Sequence, residues 1–174
     1  MRYVLRMERL ANLFGVAALA ATERLTAAVK AETAKGGSAP AALVHLLAHP
    51  HDSVDGLAGV LGISQPATTR TVDRLVGDGL VERGRGRDGR TLALALTEAG
   101  QEAARTVLAE RALALEAMLA PLPEADREAL ERLLGQLVTR LADDRPAALH
   151  VCRMCDRDAC RRNPGCPLDH TVAT

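Results

Sequence analysis

The spacing of apolar positions along the chain changes from helical to alternating and back to helical. Leu10, Leu13 and Leu25 lie on a common apolar stripe within residues 1–34, which predicts one long helix. The same kind of spacing predicts further helices at about residues 40–48, 54–61, 64–77, 97–119 and 124–142. Between residues 80 and 96 the period shortens, and Leu92, Leu94 and Leu96 alternate with smaller residues as in a strand.

Turn and capping residues divide these elements. Helix breakers stand at residues 35–40 and 49–51, and Asp52 or Ser53 can cap the third helix. The sequence 84–89, which ends in Asp-Gly, predicts a hairpin loop between a strand at 80–82 and a returning strand at 90–96. Thr97 can cap the next helix, although the third residue after it is Gly100 and not the Glu that would complete a capping box.

Helix, turn, helix and a two-stranded ribbon, in this order, predict a winged helix. The fold class is therefore mainly α (α+β), a winged helix-turn-helix between long terminal helices. We divide the chain into an N-terminal helix at 1–38, the winged helix-turn-helix at 39–97, C-terminal helices at 98–144 and a cysteine-rich tail at 145–174. The terminal helices are more apolar than the winged helix can bury alone. They pack with a second copy or form an intramolecular three-helix bundle.

The stretch Ser64–Val76 is the candidate recognition helix. Ser64 is a good N-cap and Pro66 is tolerated in the first turn. Gln65, Thr68, Thr69 and Arg70 are predicted to face outward, and such side chains hydrogen-bond to base edges and phosphates.

Two further groups of charged residues have alternative interpretations. Arg74 can contact DNA or pair with Asp73 or Asp78. The hairpin between the strands is rich in Arg, which suits the narrow, electronegative minor groove, and the alternative is a merely solvated loop. Its charged residues, which we take as candidate DNA contacts together with Arg74, are Arg85, Arg87, Asp88 and Arg90.

Composition limits the partners. The 22 basic and 22 acidic residues cancel, so a DNA-binding surface must rest on local charge rather than on a global basic field. Tyr3 and Phe14 are the only aromatic residues, which disfavours sites that stack single-stranded bases. The sequence shows no membrane segment and no clear signal peptide, so we expect a cytoplasmic protein without a membrane partner.

The residues 57–83, Asp88-Gly-Arg90 and Leu94–Gly100 resemble the MarR family of bacterial transcription regulators. The resemblance joins the recognition helix, the Asp-x-Arg of the wing tip and the Leu-Thr-x-x-Gly exit from the wing. It implies a homodimer, built from the terminal helices, that binds a near-palindromic double-stranded DNA operator. It also implies that Arg90 enters the minor groove, that Asp88 orients it, and that a small-molecule effector is possible.

All four cysteines lie in the tail, with the spacing C-x2-C-x4-C-x5-C-P over Cys152, Cys155, Cys160 and Cys166. Four clustered thiolates can bind an iron–sulfur cluster, and Pro167 after the last cysteine is typical of cluster ligands. A tetrahedral zinc site and a metal-free thiol switch are the alternatives. Zinc sites usually show two C-x2-C pairs, so the single pair here favours the cluster. His150 and His170 flank the motif and are expected to be exposed rather than ligands.

The predicted function is that of a MarR-like dimeric regulator whose operator binding is controlled by this four-cysteine metal centre, most favourably an iron–sulfur cluster that responds to redox state or iron. A small redox enzyme or electron carrier is a less favoured alternative, because no nucleotide loop and no paired acid–base residues support catalysis. A third alternative is a DNA-binding module in which the metal only ties down the tail.

Overall fold

The computed structural model of the chain describes residues 2–33, 35–85, 92–162 and 165–172. Within them a mainly helical chain surrounds one two-stranded sheet. The elements in chain order are α1 Arg2–Thr33, α2 Ala39–Ala48, α3 Val54–Leu61, α4 Gln65–Gly77, β1 Val81–Arg85, β2 Leu92–Leu96, α5 Glu98–Leu119, α6 Glu124–Val138, α7 Arg145–Val151, α8 Arg157–Cys160 and a 3₁₀ helix Asp169–Val172. The predicted fold class is confirmed. No described helix is long and apolar enough to cross a membrane.

Local chemistry explains where the helices of the winged helix begin and end. Ser53 rather than Asp52 caps α3, since its side chain accepts a hydrogen bond from the Gly56 amide. Gly62 ends α3 in the left-handed conformation, with φ of 65°, and turns the chain into α4. Ser64 lies at the N-cap position of α4, but its side chain makes no capping hydrogen bond.

The two strands pair antiparallel, with Val81 opposite Leu96 and Arg85 opposite Leu92. The first strand is longer than the predicted 80–82, because the pairing continues outward to the edge of the described residues. A further bridge joins Asp52 to Leu94, so the segment before α3 is also attached to the wing. This bridge connects the start of the helix-turn-helix to the sheet.

The principal core lies between α2, α3, α4, the sheet and α5. Helix α2 is buried along most of its length, and Leu43, Leu57 and Leu75 are completely inaccessible. Helix α1 packs along α5, where Val29, Val44 and Val107 form a second, smaller cluster. The long helices therefore connect directly to the winged helix.

Helix α6 has no buried residue although it is 15 residues long. It ends at Val138, three to four residues before the predicted end, and an Arg127–Glu116 ion pair of 2.6 Å joins its start to α5. Leu133, Leu134 and Leu137 are about half exposed. The single chain therefore does not close α1, α5 and α6 into the three-helix bundle that was one of the two alternatives.

Gly100 explains the Leu-Thr-x-x-Gly exit. Thr97 caps α5 by accepting from the Gly100 amide, and its hydroxyl donates to the Gly79 carbonyl at 2.7 Å. These bonds press the first turn of α5 against Leu80, so closely that a Cβ on Gly100 would lie 1.9 Å from the Leu80 carbonyl oxygen. A glycine is required here by space rather than by backbone conformation.

We therefore expect Gly100→Ala to lower the free energy of unfolding by about 1–3 kcal/mol, since backbone atoms must move to relieve the overlap. Gly59→Ala is the matched control, because Gly59 lies in α3 with no atom near its Cβ position. That change should raise stability by up to about 1 kcal/mol through helix propensity. Urea unfolding of both variants checks the expectation, and equal effects would contradict it.

Candidate nucleic-acid interface and metal centre

Helix α4 separates a buried stripe from an exposed one. Thr68, Val72 and Leu75, at intervals of four and three residues, face the core and are completely inaccessible. Arg70 and Arg74 are exposed on the opposite face, and Gln65 is exposed in the first turn, where its side-chain amide donates to the Asp55 carboxylate at 2.7 Å. This exposed stripe is available to an external partner such as the edge of a DNA groove.

The prediction for Thr68 is wrong, since its side chain faces the core and not the solvent. Its hydroxyl donates to the Ser64 carbonyl at 3.2 Å, which satisfies its polar atom and leaves the methyl group to pack inside. The signal was present in the sequence, because Thr68 stands four residues before Val72 on the apolar stripe. Thr69, the next residue, is half-exposed and donates to the Gln65 carbonyl.

The ion pairs around α4 settle one alternative for Arg74. Asp73 accepts from Arg83 of β1 at 2.6 Å, and Asp78 pairs with Lys35. Both acidic neighbours that were candidate partners of Arg74 are thus engaged by other cations. Within the described part of the chain, neither Arg70 nor Arg74 takes part in an ion pair.

The wing is described only in part. Arg85 is the last residue of β1 and pairs with Leu92 across the sheet. Arg87, Asp88 and Arg90 lie outside the described residues, so their predicted contacts with the minor groove stay predictions.

We call residues 145–172, where described, the cysteine segment. Asp144 caps α7 and Asp156 caps α8, each by accepting an amide hydrogen bond through its carboxylate. A turn between them is closed by a hydrogen bond of 2.8 Å from the Cys155 amide to the Cys152 carbonyl. Capped short helices give this segment a defined backbone, which spacing alone did not predict.

The four cysteines, all free thiols and all half-buried, line one cavity of about 240 Å³. Helix α2 supplies another part of the wall through His45 and His49. Several arginines surround the cavity, namely Arg145, Arg153, Arg157 and Arg161. Among the described residues no group of three or more His, Cys, Asp or Glu side chains is arranged to hold a single metal ion. The motif thus gathers its four sulfur atoms around a shared space.

Each thiol changes the pKa of the next cysteine along the chain. The interaction with the neighbouring Cys155 side chain lowers the pKa of Cys152. The same interaction, together with burial, raises the pKa of Cys155. The Cys155 thiol lies within 3.5 Å of the Asp156 carbonyl, to which it donates. Burial also raises the pKa values of Cys160 and Cys166. Cys152 is accordingly the thiol that ionises first when the protein holds no metal.

The cysteine segment packs onto the winged helix and is not a loose tail. Met154 contacts both the principal core and the smaller cluster around Val107. His150, expected to be exposed, is half-buried and its Nδ1 donates to the Val60 carbonyl of α3 at 2.9 Å. His170 is exposed as expected, with its ring beside the Pro167 and Ala142 carbonyls.

A line of polar side chains leads from this segment into the winged helix. Arg157 donates through Nη1 to Nε2 of His49 at 2.7 Å, so this histidine nitrogen carries no proton. The His49 ring stacks on His45, with centroids 4.7 Å apart, and His45 Nε2 donates to the Asp52 carboxylate at 2.8 Å. Sequence reasoning missed this connection, because Arg157 is far from His45 and His49 in the chain.

Comparison with known proteins assigns the fold. A MarR family model matches residues 37–91, which include α2, the helix-turn-helix and the first strand of the wing. The winged helix of this chain is thus similar to the MarR family in sequence over that range. The cysteine segment lies outside the matched range. No curated protein sequence matches the chain.

Solved structures show the same fold. MepR, a transcription regulator of the Staphylococcus aureus multidrug efflux pump MepA, is 16% identical, with a TM-score of 0.66 over 76% of this chain and 98% of MepR. Rv1404 from Mycobacterium tuberculosis is 26% identical, with a TM-score of 0.65 over 76% of this chain and 92% of Rv1404. The MarR family protein Rv2887 from the same organism, solved in complex with DNA, is 21% identical, with a TM-score of 0.62 over 74% of this chain and 96% of Rv2887.

The state of His49 can be tested through the pH dependence of stability. Burial, followed by the charges of His45, Arg157 and Arg145, lowers its pKa from 6.5 to about 4. Unfolded chains therefore bind a proton between pH 6.5 and 4 that the folded protein excludes, and stability falls as the pH falls through this window. We expect His49→Gln, whose amide oxygen can still accept from Arg157, to lose less stability than the wild type.

Thermal unfolding at pH 7 and pH 4.5 measures this difference. His51→Gln is the control, since it removes an exposed imidazole of the same loop. An equal fall in melting temperature for the wild type and His49→Gln would contradict a neutral His49.

Proposed function

We propose that this chain is a MarR-family transcriptional regulator that binds double-stranded DNA as a homodimer and whose binding is controlled by an iron–sulfur cluster on its four cysteines. The observation that carries the proposal is the position of the cysteine cavity. The cavity is lined by α2 and by the cysteine segment. The cysteine segment in turn packs on the helix-turn-helix through α7 and α3. A centre in this cavity is therefore connected to the helix-turn-helix through α2 and α7.

DNA recognition rests on the exposed stripe of α4. Gln65 and Arg70 are side chains that read base edges or bind phosphates when a helix enters the major groove. Ser64 and Thr69 border the stripe, and Arg74 extends it by one turn. In a symmetric dimer two such helices, about one helical repeat apart, fit a near-palindromic operator, and the wings reach the adjacent minor grooves.

Dimerisation follows from apolar surface that the single chain leaves exposed. Helix α1 alone exposes Leu10 at 62% and Leu19 at 68%, and the leucines of α6 are also uncovered. Several exposed large apolar side chains on one helix are typical of an interface between subunits. A second copy, related by a twofold axis, covers these side chains with the same surface.

The donor set and the cavity fit an iron–sulfur cluster. Each of the four irons of a cubane cluster takes one thiolate, and four thiols surround this cavity. Its volume of about 240 Å³ exceeds the roughly 30 Å³ share of one water molecule several-fold, so the space suits a centre larger than one ion. Arg153, Arg157 and Arg161 can offset the negative charge of a thiolate-bound centre. When bound, the cluster would supply one-electron redox chemistry and sensitivity to oxidants.

One observation favours a metal-free thiol switch as the second candidate. The Cys152 thiol has a lowered pKa through its interaction with Cys155 and lines the same cavity, which places a nucleophilic sulfur near a second thiol. A two-electron oxidant such as a peroxide would take the two electrons and two protons of these thiols and join the sulfurs in a disulfide. Zinc, held by the same four thiolates, is the remaining alternative.

We expect Arg70→Ala to weaken binding to a duplex selected by the wild type from a random library by about 1–3 kcal/mol, because a base or phosphate contact is lost. Arg105→Ala is the control, since Arg105 pairs with Glu102 on the surface of α5. Fluorescence anisotropy at two salt concentrations measures both. Unchanged affinity in Arg70→Ala would count against α4 as the reading helix.

Protein purified without oxygen should be coloured and should contain iron and acid-labile sulfide, and Cys160→Ala should lose both. Met154→Leu removes a different sulfur of the same segment and should retain them. Metal analysis and visible absorption give the result. A colourless protein with about one zinc per chain would exclude the cluster.

A further inference from the structure

The cysteine segment contacts the C-terminal end of α3, the first helix of the helix-turn-helix, and is connected to its N-terminal end through histidines of α2. We propose that His150 is a positioning residue that couples the cysteine centre to the turn before the recognition helix, and that Arg157 provides a second connection at the opposite end of α3. This inference rests on the proposed function and adds the residues through which the centre acts.

His150 lies at the C-terminal end of α3. Its Nδ1 donates to the Val60 carbonyl, and the edge of its ring covers Gly62. A Cβ on Gly62 would lie 2.6 Å from Cε1 of His150, so the ring occupies space that only a glycine leaves. Gly62 is also the residue whose positive φ turns the chain from α3 towards α4. The imidazole therefore touches the turn that sets the direction of α4.

The same helical turn carries a cysteine ligand. Cys152 is the C-cap of α7, and its amide donates to the Ala148 carbonyl at 2.9 Å. Arg153 donates to the His150 carbonyl at 2.7 Å, which adds a second restraint on this turn. Cys152 and His150 therefore belong to the same C-terminal turn of α7, so the orientation of one residue depends on that of the other. A centre that holds Cys152 also holds His150 against Gly62.

At the N-terminal end of α3, the connection runs through α2. Arg157, which stands between Cys155 and Cys160, is bonded to His49, and the stacked His45 is bonded to Asp52. Asp52 accepts from the Ser53 amide at the start of α3, and its own carbonyl accepts from the Leu94 amide of β2. This path ends where α3 and the wing strand meet.

One direct contact and one indirect connection, at opposite ends of an eight-residue helix, restrict how α3 can tilt relative to the core. Most cysteine-segment residues are half-buried or exposed, and the buried contacts of the segment are few. Four bonds from thiolates to one centre would hold its backbone in place. Loss of the centre releases the segment, and with it the contact that fixes the turn between α3 and α4.

Hydrogen exchange of full-length protein tests this coupling. The measured segment is residues 58–64, in which the Gly62 amide donates to the Ala58 carbonyl. We compare iron-containing protein with the same preparation after the metal is removed by a chelator. Exchange in this segment should be roughly fivefold faster after removal, the factor that one typical net hydrogen bond contributes to a local opening equilibrium.

His150→Ala should retain its iron yet exchange in this segment at the rate of the metal-free wild type. The control is His170→Ala, which removes a histidine of the same segment whose ring lies beside the Pro167 and Ala142 carbonyls instead. It should exchange as slowly as the iron-containing wild type. Slow exchange in iron-containing His150→Ala would overturn the inference.

The wild-type comparison needs no variant, so a poorly folding His150→Ala does not remove the test. Suppose that the wild type contains iron and that its affinity for DNA changes on metal removal. Equal exchange in residues 58–64 before and after removal then contradicts the coupling through His150, while the proposed function stands. If the protein binds no metal, or if metal removal leaves the affinity for DNA unchanged, the proposed function fails and the inference fails with it.

Discussion

The burial of α2 is the constraint on which the rest of the structure depends. Eight consecutive residues, Ala39–Leu46, are buried, because α3, α4, the sheet and α5 all pack around this helix. Apolar surface removed from water on every side of one short helix holds these elements in a single unit. The helix ends at Ala48, and its C-cap residue His49 lines the cysteine cavity. The same helix therefore supplies part of the core of the winged helix and part of the cavity wall.

Through this arrangement the cysteine segment, unlike a solvated tail, is attached to the winged helix. Its contacts are made to buried or backbone atoms: Met154 in the core, His150 on a helix carbonyl, and Arg157 on a stacked histidine pair. Interfaces of this kind transmit a local change when they have two discrete arrangements. The centre can shift DNA affinity only by its different stability in those two arrangements.

The sequence predicted helices α1 to α6 and the two strands of the wing, because each has a local signal, but it did not predict the short helices α7 and α8. The C-cap at Gly62 and the Thr97 cap depend on neighbouring residues, and so does the apolar stripe of α1. The buried position of Thr68 also had a local signal, its spacing from Val72, and its hydroxyl is satisfied locally by the Ser64 carbonyl. The position of His150 required the tertiary structure, because His150 resembles a solvated tail residue until α7 is placed on α3. Long-range contacts of this kind, Arg157 with His49 among them, leave no local pattern.

The central claim is that the cysteine centre controls DNA binding by fixing the helix-turn-helix. The most direct measurement is the affinity for the selected duplex of one anaerobic preparation, before and after its metal is removed. A fixed turn lowers the ordering that binding requires, so the metal-containing protein should bind at least about fivefold more tightly, at the lower end of typical allosteric coupling. Equal or weaker binding by the metal-containing protein would contradict the account.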